Sequence, residues 1–288
     1  MSTNNSFDTV QGLNIQDVYS DIDFPVARKK LVTDQVFDKT NYEMVTRVDT
    51  NKNLGIVRNT FPVFEYTEVM DWLTSEFDKA GLDFKIRDSV VQGKGDVYQE
   101  YLFRKNVETP DGSDMSPLVI AKMSYVHVPL EIHFGTYRFT CSNGVMVGDT
   151  ISKIHISRKT QDLLKSSIVD DINSSLDRFK KVSELYSDLA NKGFERYLEL
   201  YLLDQYITAG FKKAVLEELQ NEGALDILMN KIKKENFSLD SLSKIYKIKN
   251  EIDAWAFYNV VTAVTTHKSR SVGSRLSNFS TVSKIFGV

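Results

Sequence analysis

Cysteine is almost absent from this chain. The single Cys141 among 288 residues excludes an internal disulfide and any cysteine-rich zinc site. Proline is scarce as well, with 5 residues, and 14 Gly beside 42% apolar residues exclude a collagen-like, low-complexity or wholly disordered chain. No apolar run approaches the ~18 to 20 residues that a membrane helix needs. The opening Met1 to Phe7 lacks the basic and apolar regions of a signal peptide, so a cytoplasmic location without membrane partners is expected. Histidine is limited to His127, His133, His155 and His267, and neither a Gly-x-Ser-x-Gly elbow nor a Walker loop occurs. What remains is a length that can bury a real core, as one large or two small domains.

The 36 Lys and Arg nearly balance the 39 Asp and Glu, for a net charge of -3. That total argues against a polyanion partner, but the distribution is uneven. The first 24 residues carry Asp8, Asp17, Asp21 and Asp23 and no cation; Asn259 to Val288 carry Lys268, Arg270, Arg275 and Lys284 and no acid. Such asymmetry fits an acidic arm and a basic, polyanion-seeking end, or ends that attract one another or a neighbouring subunit.

The hydrophobic period changes once, near residue 158. Upstream, Tyr42 to Val48, Gly55 to Val57, Leu82 to Val91, Val97 to Phe103, Leu118 to His127 and Lys153 to Ile156 are short runs rich in β-branched and aromatic residues, and read as strands. Turn chemistry separates them at Asp49 to Asn53, Gly93-Lys94-Gly95, Pro110 to Ser113 and Ser142-Asn143-Gly144. One amphipathic helix, about Glu65 to Ala80, places Val69, Trp72, Leu73, Phe77 and Ala80 at helical spacing before Gly81. Downstream, Leu164, Ile168, Ile172, Leu176, Phe179, Val182, Leu185 and Leu189 predict one long helix. Further helices are expected at Phe194 to Gln205, Phe211 to Asn221, Leu225 to Lys234, Leu239 to Lys247 and Glu251 to His267. The expected class is α+β: a mostly antiparallel sheet with a packed helix in the amino half, and a helical carboxyl half led by the long helix. Its parts are an acidic arm with a first element over 1–40, a sheet region over 41–158, and a helical region over 159–288 that forms one folding unit with the sheet.

Enzyme chemistry finds little support. His127 and His133 flank Val128-Pro129-Leu130, and Cys141 follows, but the spacing matches no zinc pattern. No motif orders Cys141 with His133 or His155 as nucleophile and base. No cofactor is implied. Gly93-Lys94-Gly95 suits a tight hairpin better than a phosphate cradle, and Glu217-Glu218 points its carboxylates about 100° apart on a helix. A basic stretch with aromatics is the stronger signal. Between Tyr137 and Lys165 lie Arg138, Lys153, Arg158, Lys159 and Lys165 against Asp149 and Asp162, with Phe139 beside Tyr137. Lys and Arg bind phosphates, and single strands stack on aromatic rings. Arg158, Lys159 and Thr160 stand at the entry to the long helix, where orphan amides add donors. His267 beside Lys268 at a helix end complements the dipole there or meets phosphate.

Three segments carry a resemblance. Met44-Val45-Thr46-Arg47-Val48-Asp49 with Leu54-Gly55-Ile56-Val57 and Phe61-Pro62-Val63-Phe64, then Arg138 to Gly144, then Asn259-Val260-Val261-Thr262 with Thr266-His267 occur in order. Together they resemble a phage- and plasmid-encoded family of unknown function, over about residues 42 to 270. The tail departs from it, lacking the longer aromatic and glycine closing segment of many members. The resemblance implies a viral or mobile-element protein working on DNA in a bacterial cytoplasm. At fold level the layout is also similar to phage single-strand annealing proteins, which form rings with a basic groove.

The expected function is single-stranded DNA binding or annealing in recombination or replication, non-catalytic, by a homo-oligomer, with a ring of basic grooves as one form of it. Tyr137 would stack bases, and Arg138, Lys153, Arg158, Lys159, Lys165, Lys268, Arg270 and Arg275 would track phosphates. Two alternatives stand beside it: a metal-dependent nuclease using His127, His133 and Glu131 or Asp149, and an interaction module that uses the helical half and the apolar Ile285-Phe286. Reversing charge at Arg158 and Lys159 together is expected to weaken single-strand binding in a mobility shift with the circular dichroism spectrum unchanged; unchanged affinity removes both residues from the site.

Overall fold

A computed structural model of the chain describes residues 6–33, 36–61, 63–105, 107–110, 112, 114–126, 130–139, 143–146, 152–154, 170, 174, 179, 181–221 and 253–288. The class is α+β, with antiparallel sheets from the amino half and helices concentrated in the carboxyl half. Contacts divide the chain into two units. Unit 1 comprises residues 1–105, 116–134 and 150–176; unit 2 comprises residues 106–115, 135–149 and 177–288. Strands β7 and β8, defined below, contribute residues to both.

Unit 1 opens with the short helices α1 (Ser6–Thr9) and α2 (Ile15–Ile22), followed by a three-stranded antiparallel sheet of β1 (Val26–Thr33), β2 (Val36–Arg47) and β3 (Lys52–Arg58) in that order. The β2–β3 turn is pinned as its sequence predicts. Arg47 donates to both Asp49 oxygens, Nε to Oδ1 at 2.7 Å and Nη2 to Oδ2 at 2.8 Å, and its guanidinium lies 3.9 Å over the Phe24 ring. Helix α3 (Tyr66–Lys79) falls where the amphipathic stripe placed it, burying Val69, Met70, Leu73 and Phe77 and stopping before Gly81, whose φ of 66° is left-handed. The Phe77 ring meets Phe84, Tyr101 and Phe103 edge-on, each at 5.2 Å for the first, second and third. Such pairs add about 0.5–1.5 kcal/mol each beyond the area they bury.

The larger sheet runs β10-β8-β7-β5-β4, with β6 also on β7 and β9 also on β8. Its strands are β4 (Phe84–Gln92), β5 (Asp96–Phe103), β6 (Val107–Glu108), β7 (Asp114–Met123), β8 (Leu130–Arg138), β9 (Asn143–Met146) and β10 (Ser152–Ile154). The β4–β5 register closes at Gln92 opposite Asp96, so Gly93-Lys94-Gly95 is a hairpin turn. Strand β5 is buried along its length, which forces its polar residues to find partners. Tyr101 donates its hydroxyl to Gln99 Oε1 at 2.7 Å, and Gln99 Nε2 donates to Met70 Sδ at 2.9 Å. Glu100, its side chain 2% exposed, is ion-paired with Arg87.

Residues 6–13 are bound onto this sheet. Lys85 Nζ donates to the Phe7 and Val10 carbonyls at 3.1 Å, and Leu13 N donates to the Ile86 carbonyl at 2.7 Å. Arg104 donates to both Asp8 oxygens, pairs with Asp83, and lies 4.5 Å over the Phe7 ring. Its hydrogen bonds hold the Asp8 carboxyl below its usual range. One of the four early acids is thereby neutralised within the chain.

In unit 2, α4 (residues 181–190) is followed by α5 (Glu195–Leu203), α6 (Ala209–Asn221), α7 (Ala254–Lys268) and α8 (Val272–Phe286). Asp170, Ser174 and Phe179 are helical too, within the span of the expected long helix. Its other residues up to 180, and the helices expected at 225–234 and 239–247, lie outside the described residues. Helix α7 is buried on nearly every side, so it runs through the interior of its unit. The Asp253 carboxylate caps it by accepting from Ala256 N at 2.7 Å. Along α4, Val182, Tyr186 and Leu189 are buried and Leu185 is exposed, so Tyr186 takes the place expected of Leu185. Its hydroxyl lies 3.4 Å from Thr136 Oγ1 and 3.2 Å from Tyr258 OH, and no aliphatic side chain could make that buried chain.

Three expectations change. Strand β8 falls in a stretch not counted among the expected strands, although Leu130, Ile132 and Phe134 alternate with Glu131 and His133. Helix α8 occupies what read as a basic tail, and its Phe286 ring stacks on Tyr197 at 5.0 Å and packs on Phe257 and Tyr258. The apolar end offered above as a partner's contact is therefore interior at Phe286. Asn143-Gly144, expected to form a tight turn, lies in β9, where Asn143 pairs with Arg138 and Gly144 with Tyr137.

Gly55 sets how closely the three-stranded sheet approaches β7's end. A Cβ there would lie 2.9 Å from Val126 Cγ1, inside van der Waals contact. Gly55→Ala is expected to destabilise the protein by about 1–3 kcal/mol, and Val126→Ala on top of it to restore part of the loss. Denaturant midpoints measure both; a Gly55→Ala midpoint equal to the parent's contradicts the close approach.

Candidate nucleic-acid interface

Two helices that meet end to start expose the ends of their backbones, and the residues at the joint decide what can sit there. Helix α7 stops because Ser269 and Ser271 are extended, and α8 begins with a capping box in which Ser271 and Ser274 bond one another's backbone. Ser271 Oγ accepts from Ser274 N at 3.1 Å. Ser269 is held from the other side, donating its hydroxyl to the Thr265 carbonyl at 2.7 Å. The joint is therefore fixed by its own hydroxyls, and it presents cations. His267, Lys268 and Arg270 are exposed around it, and Arg275 follows one turn into α8, half-buried. From Ala254 to Val288 no Asp or Glu occurs. The start of a 15-residue helix carries partial positive charge, and Lys268, Arg270 and Arg275, without a nearby acid in sequence, add to it.

Of the expected site residues, Lys268, Arg270 and Arg275 are thus brought together. Arg138 is not among them. Its guanidinium lies 5.6 Å over Trp255, in the first turn of α7, and thirteen residues of helix separate Trp255 from Lys268, about 20 Å. Tyr137 is 6% exposed, its ring edge-on to Phe139 at 5.4 Å. A ring without an open face cannot stack a base, so the stacking role expected of Tyr137 is withdrawn. Lys153 lies on β10, opposite Glu131 of β8 in register. Arg158, Lys159 and Lys165 lie outside the described residues.

The residues of the nuclease alternative fall elsewhere. His127 and Asp149 lie outside the described residues. Glu131 and His133, two apart on β8, share a face with Lys122 of β7. Lys122 Nζ is 3.2 Å and His133 Nε2 3.6 Å from Glu131 Oε2. The adjacent His133 imidazole, and then the Lys122 charge, pull the Glu131 carboxyl down to about 2. It is a fixed counter-ion, poorly suited to proton transfer near neutral pH. Among the described residues no group of three or more His, Cys, Asp or Glu is placed to hold a metal ion. No described helix is long and apolar enough to cross a membrane.

The chain matches no protein-family model, no curated protein and no solved structure. The likeness to a phage and plasmid family therefore rests on its three sequence segments. Two of them have structural reasons of their own: the Arg47–Asp49 pair ties a turn, and Asn259 and Thr262 bond carbonyls of α7, at Trp255 and Asn259.

Because the folded pKa of Glu131 lies below its unfolded value of about 4.3, its ion pair stabilises the fold above that pH. The contribution is lost as pH falls from about 4.3 toward about 2. Glu131→Gln is expected to melt lower than the parent at neutral pH, by on the order of 1–2 kcal/mol after solvent screening, and the gap to close in acid. Thermal melts across pH measure this; a gap that persists at pH ~2 refutes the assignment.

Proposed function

We propose that this chain is a non-catalytic nucleic-acid-binding protein that prefers single-stranded DNA and acts as a homo-oligomer in recombination or replication of a phage or mobile element. The observation that carries the binding step is the joint between α7 and α8. Exposed Lys268 and Arg270 flank the capped start of α8 in a stretch of 35 residues without an acid. Phosphates are bound by exposed cations beside the positive start of a helix, and such contacts do not depend on base identity. The near-neutral total charge is compatible with it, because the charge is unevenly distributed and residues 254–288 hold no Asp or Glu. The phage setting and the assembly come from the family resemblance alone.

A mobility shift with a single-stranded oligonucleotide across a salt titration tests the reading. Binding is expected at ~50 mM salt and to weaken steeply as salt rises. Lys268→Gln with Arg270→Gln is expected to reduce the slope of log affinity against log salt by about 1.4, from about 0.7 for each lost contact. No shift at ~50 mM salt, or a shift without salt dependence, ends the proposal. Mass photometry of the free protein checks the homo-oligomer, and a single monomer peak removes that part.

A further inference from the structure

Helix α5 has one side in its unit and one in water. Leu198 and Tyr201 are buried, whereas Arg196, Leu200 and Leu203 are exposed. The three exposed positions follow the i, i+4, i+7 spacing, so they stand in one stripe along the helix, away from Leu198 and Tyr201. Leu200 is 42% and Leu203 57% exposed, and Tyr206, just past the helix end, is the most open large apolar side chain among the described residues at 73%. Exposed leucines scattered singly are ordinary, but two on one stripe with an open tyrosine beyond them mark a contact surface.

Charge tells what this stripe suits. Residues 195–221 carry five Asp and Glu against three Lys and Arg, which disfavours a polyanion. An arginine and a tyrosine beside apolar side chains are instead the composition of a protein contact. The stripe is also its own complement. Asp204 N donates to the Leu200 carbonyl at 3.0 Å, so Asp204 still continues the line of the helix. Arg196 and Asp204 therefore stand four residues to either side of Leu200, about 6 Å each way along the axis. In an antiparallel pair of α5 helices related by a two-fold axis at Leu200, position 200 meets itself and position 196 of each copy meets 204 of the other. Leu203 of one copy then covers the stem of the other copy's arginine, whose guanidinium reaches the Asp204 carboxylate. Both groups are available for that pair. Arg196 has no ion pair among the described residues, and Asp204 gives only Oδ1 to the Tyr206 and Ile207 amides, at 2.7 and 3.2 Å.

We propose that the exposed stripe of α5 is an interface between two copies of this chain, packed antiparallel about Leu200 with an Arg196–Asp204 ion pair at each end. This rests on the homo-oligomer part of the reading above and names the surface that assembles it. None of its residues belongs to the nucleic-acid site at the α7–α8 joint.

Crosslinking across the axis, with light scattering on a size-exclusion column, tests it. In a Cys141→Ser background, Leu200→Cys is expected to give a disulfide-linked dimer on mild oxidation. Arg196→Cys is expected to give none, because its two copies lie about 12 Å apart along the axis. Leu200→Glu, which sets two carboxylates face to face, is expected to raise the dissociation constant of the pair at least roughly tenfold, and Arg196→Glu to do the same by opposing Asp204. Circular dichroism of both variants is expected to match the parent's. If the parent is an oligomer whose mass neither variant changes, and Leu200→Cys gives no linked dimer, the copies meet elsewhere and this inference falls while the homo-oligomer stands. If Leu200→Glu lowers the melting temperature with the mass unchanged, the stripe covers part of its own chain and the proposal falls. A monomeric parent ends both this inference and the homo-oligomer. A dimer linked through position 200 in a protein that binds no oligonucleotide leaves this inference standing and overturns the site at the joint.

Discussion

The contact between Gly55 and Val126 is the constraint from which the layout of unit 1 follows. A three-stranded sheet with one apolar face needs that face packed away from water. Here it is packed with no side chain at its closest point, and the missing Cβ lets the backbone reach the Val126 methyls. Leu54 and Val57 then join the cluster formed by α2, α3 and the large sheet. Everything the sheet shows to water is fixed by that choice of inner face, because a slip of one residue would turn Tyr42 and Ile56 inward and Val45 and Val57 outward.

Charge follows a similar division between inside and outside. Acids are spent on structure: Glu100 on Arg87 in the core, Asp49 on the turn, Asp8 on Arg104, Glu131 on Lys122 and His133. A carboxylate as enclosed as Glu100 tolerates no other arrangement, since removing Arg87 would leave a buried charge without its counter-ion. Cations outnumber acids on β1 to β3 and on α7 to α8, and Lys268 and Arg270 between the last two helices are exposed.

The sequence made α3 legible to within a residue, because an apolar stripe with a glycine stop has few other readings. The Gly93 to Gly95 hairpin and the Arg47–Asp49 pair were equally readable, being set by neighbours along the chain. Strand β8 was not, since Pro129 and two histidines interrupt the composition that marks strands although the alternation persists. Helix α8 hid behind Gly273 and its serines, which are weak helix formers; it is held by its capping box and by Leu276, Phe279, Val282 and Phe286 packing beneath it. At the site the basic residues could be read from composition, but that the Tyr137 ring is closed could not, because it follows from packing across elements.

The clamp on Phe7 bears on how the chain assembles in time. Its bonds from Lys85 and Arg104 join residues 75 to 96 positions apart. Closing so long a loop costs more entropy than zipping the adjacent β4–β5 hairpin, so residues 6–13 dock after that hairpin has formed. They are also held mainly by exposed ion pairs and one buried ring, so they open at less cost than the core beneath α3. Native-state fluctuations there would uncover the outer edge of β4 without disturbing the core beneath α3.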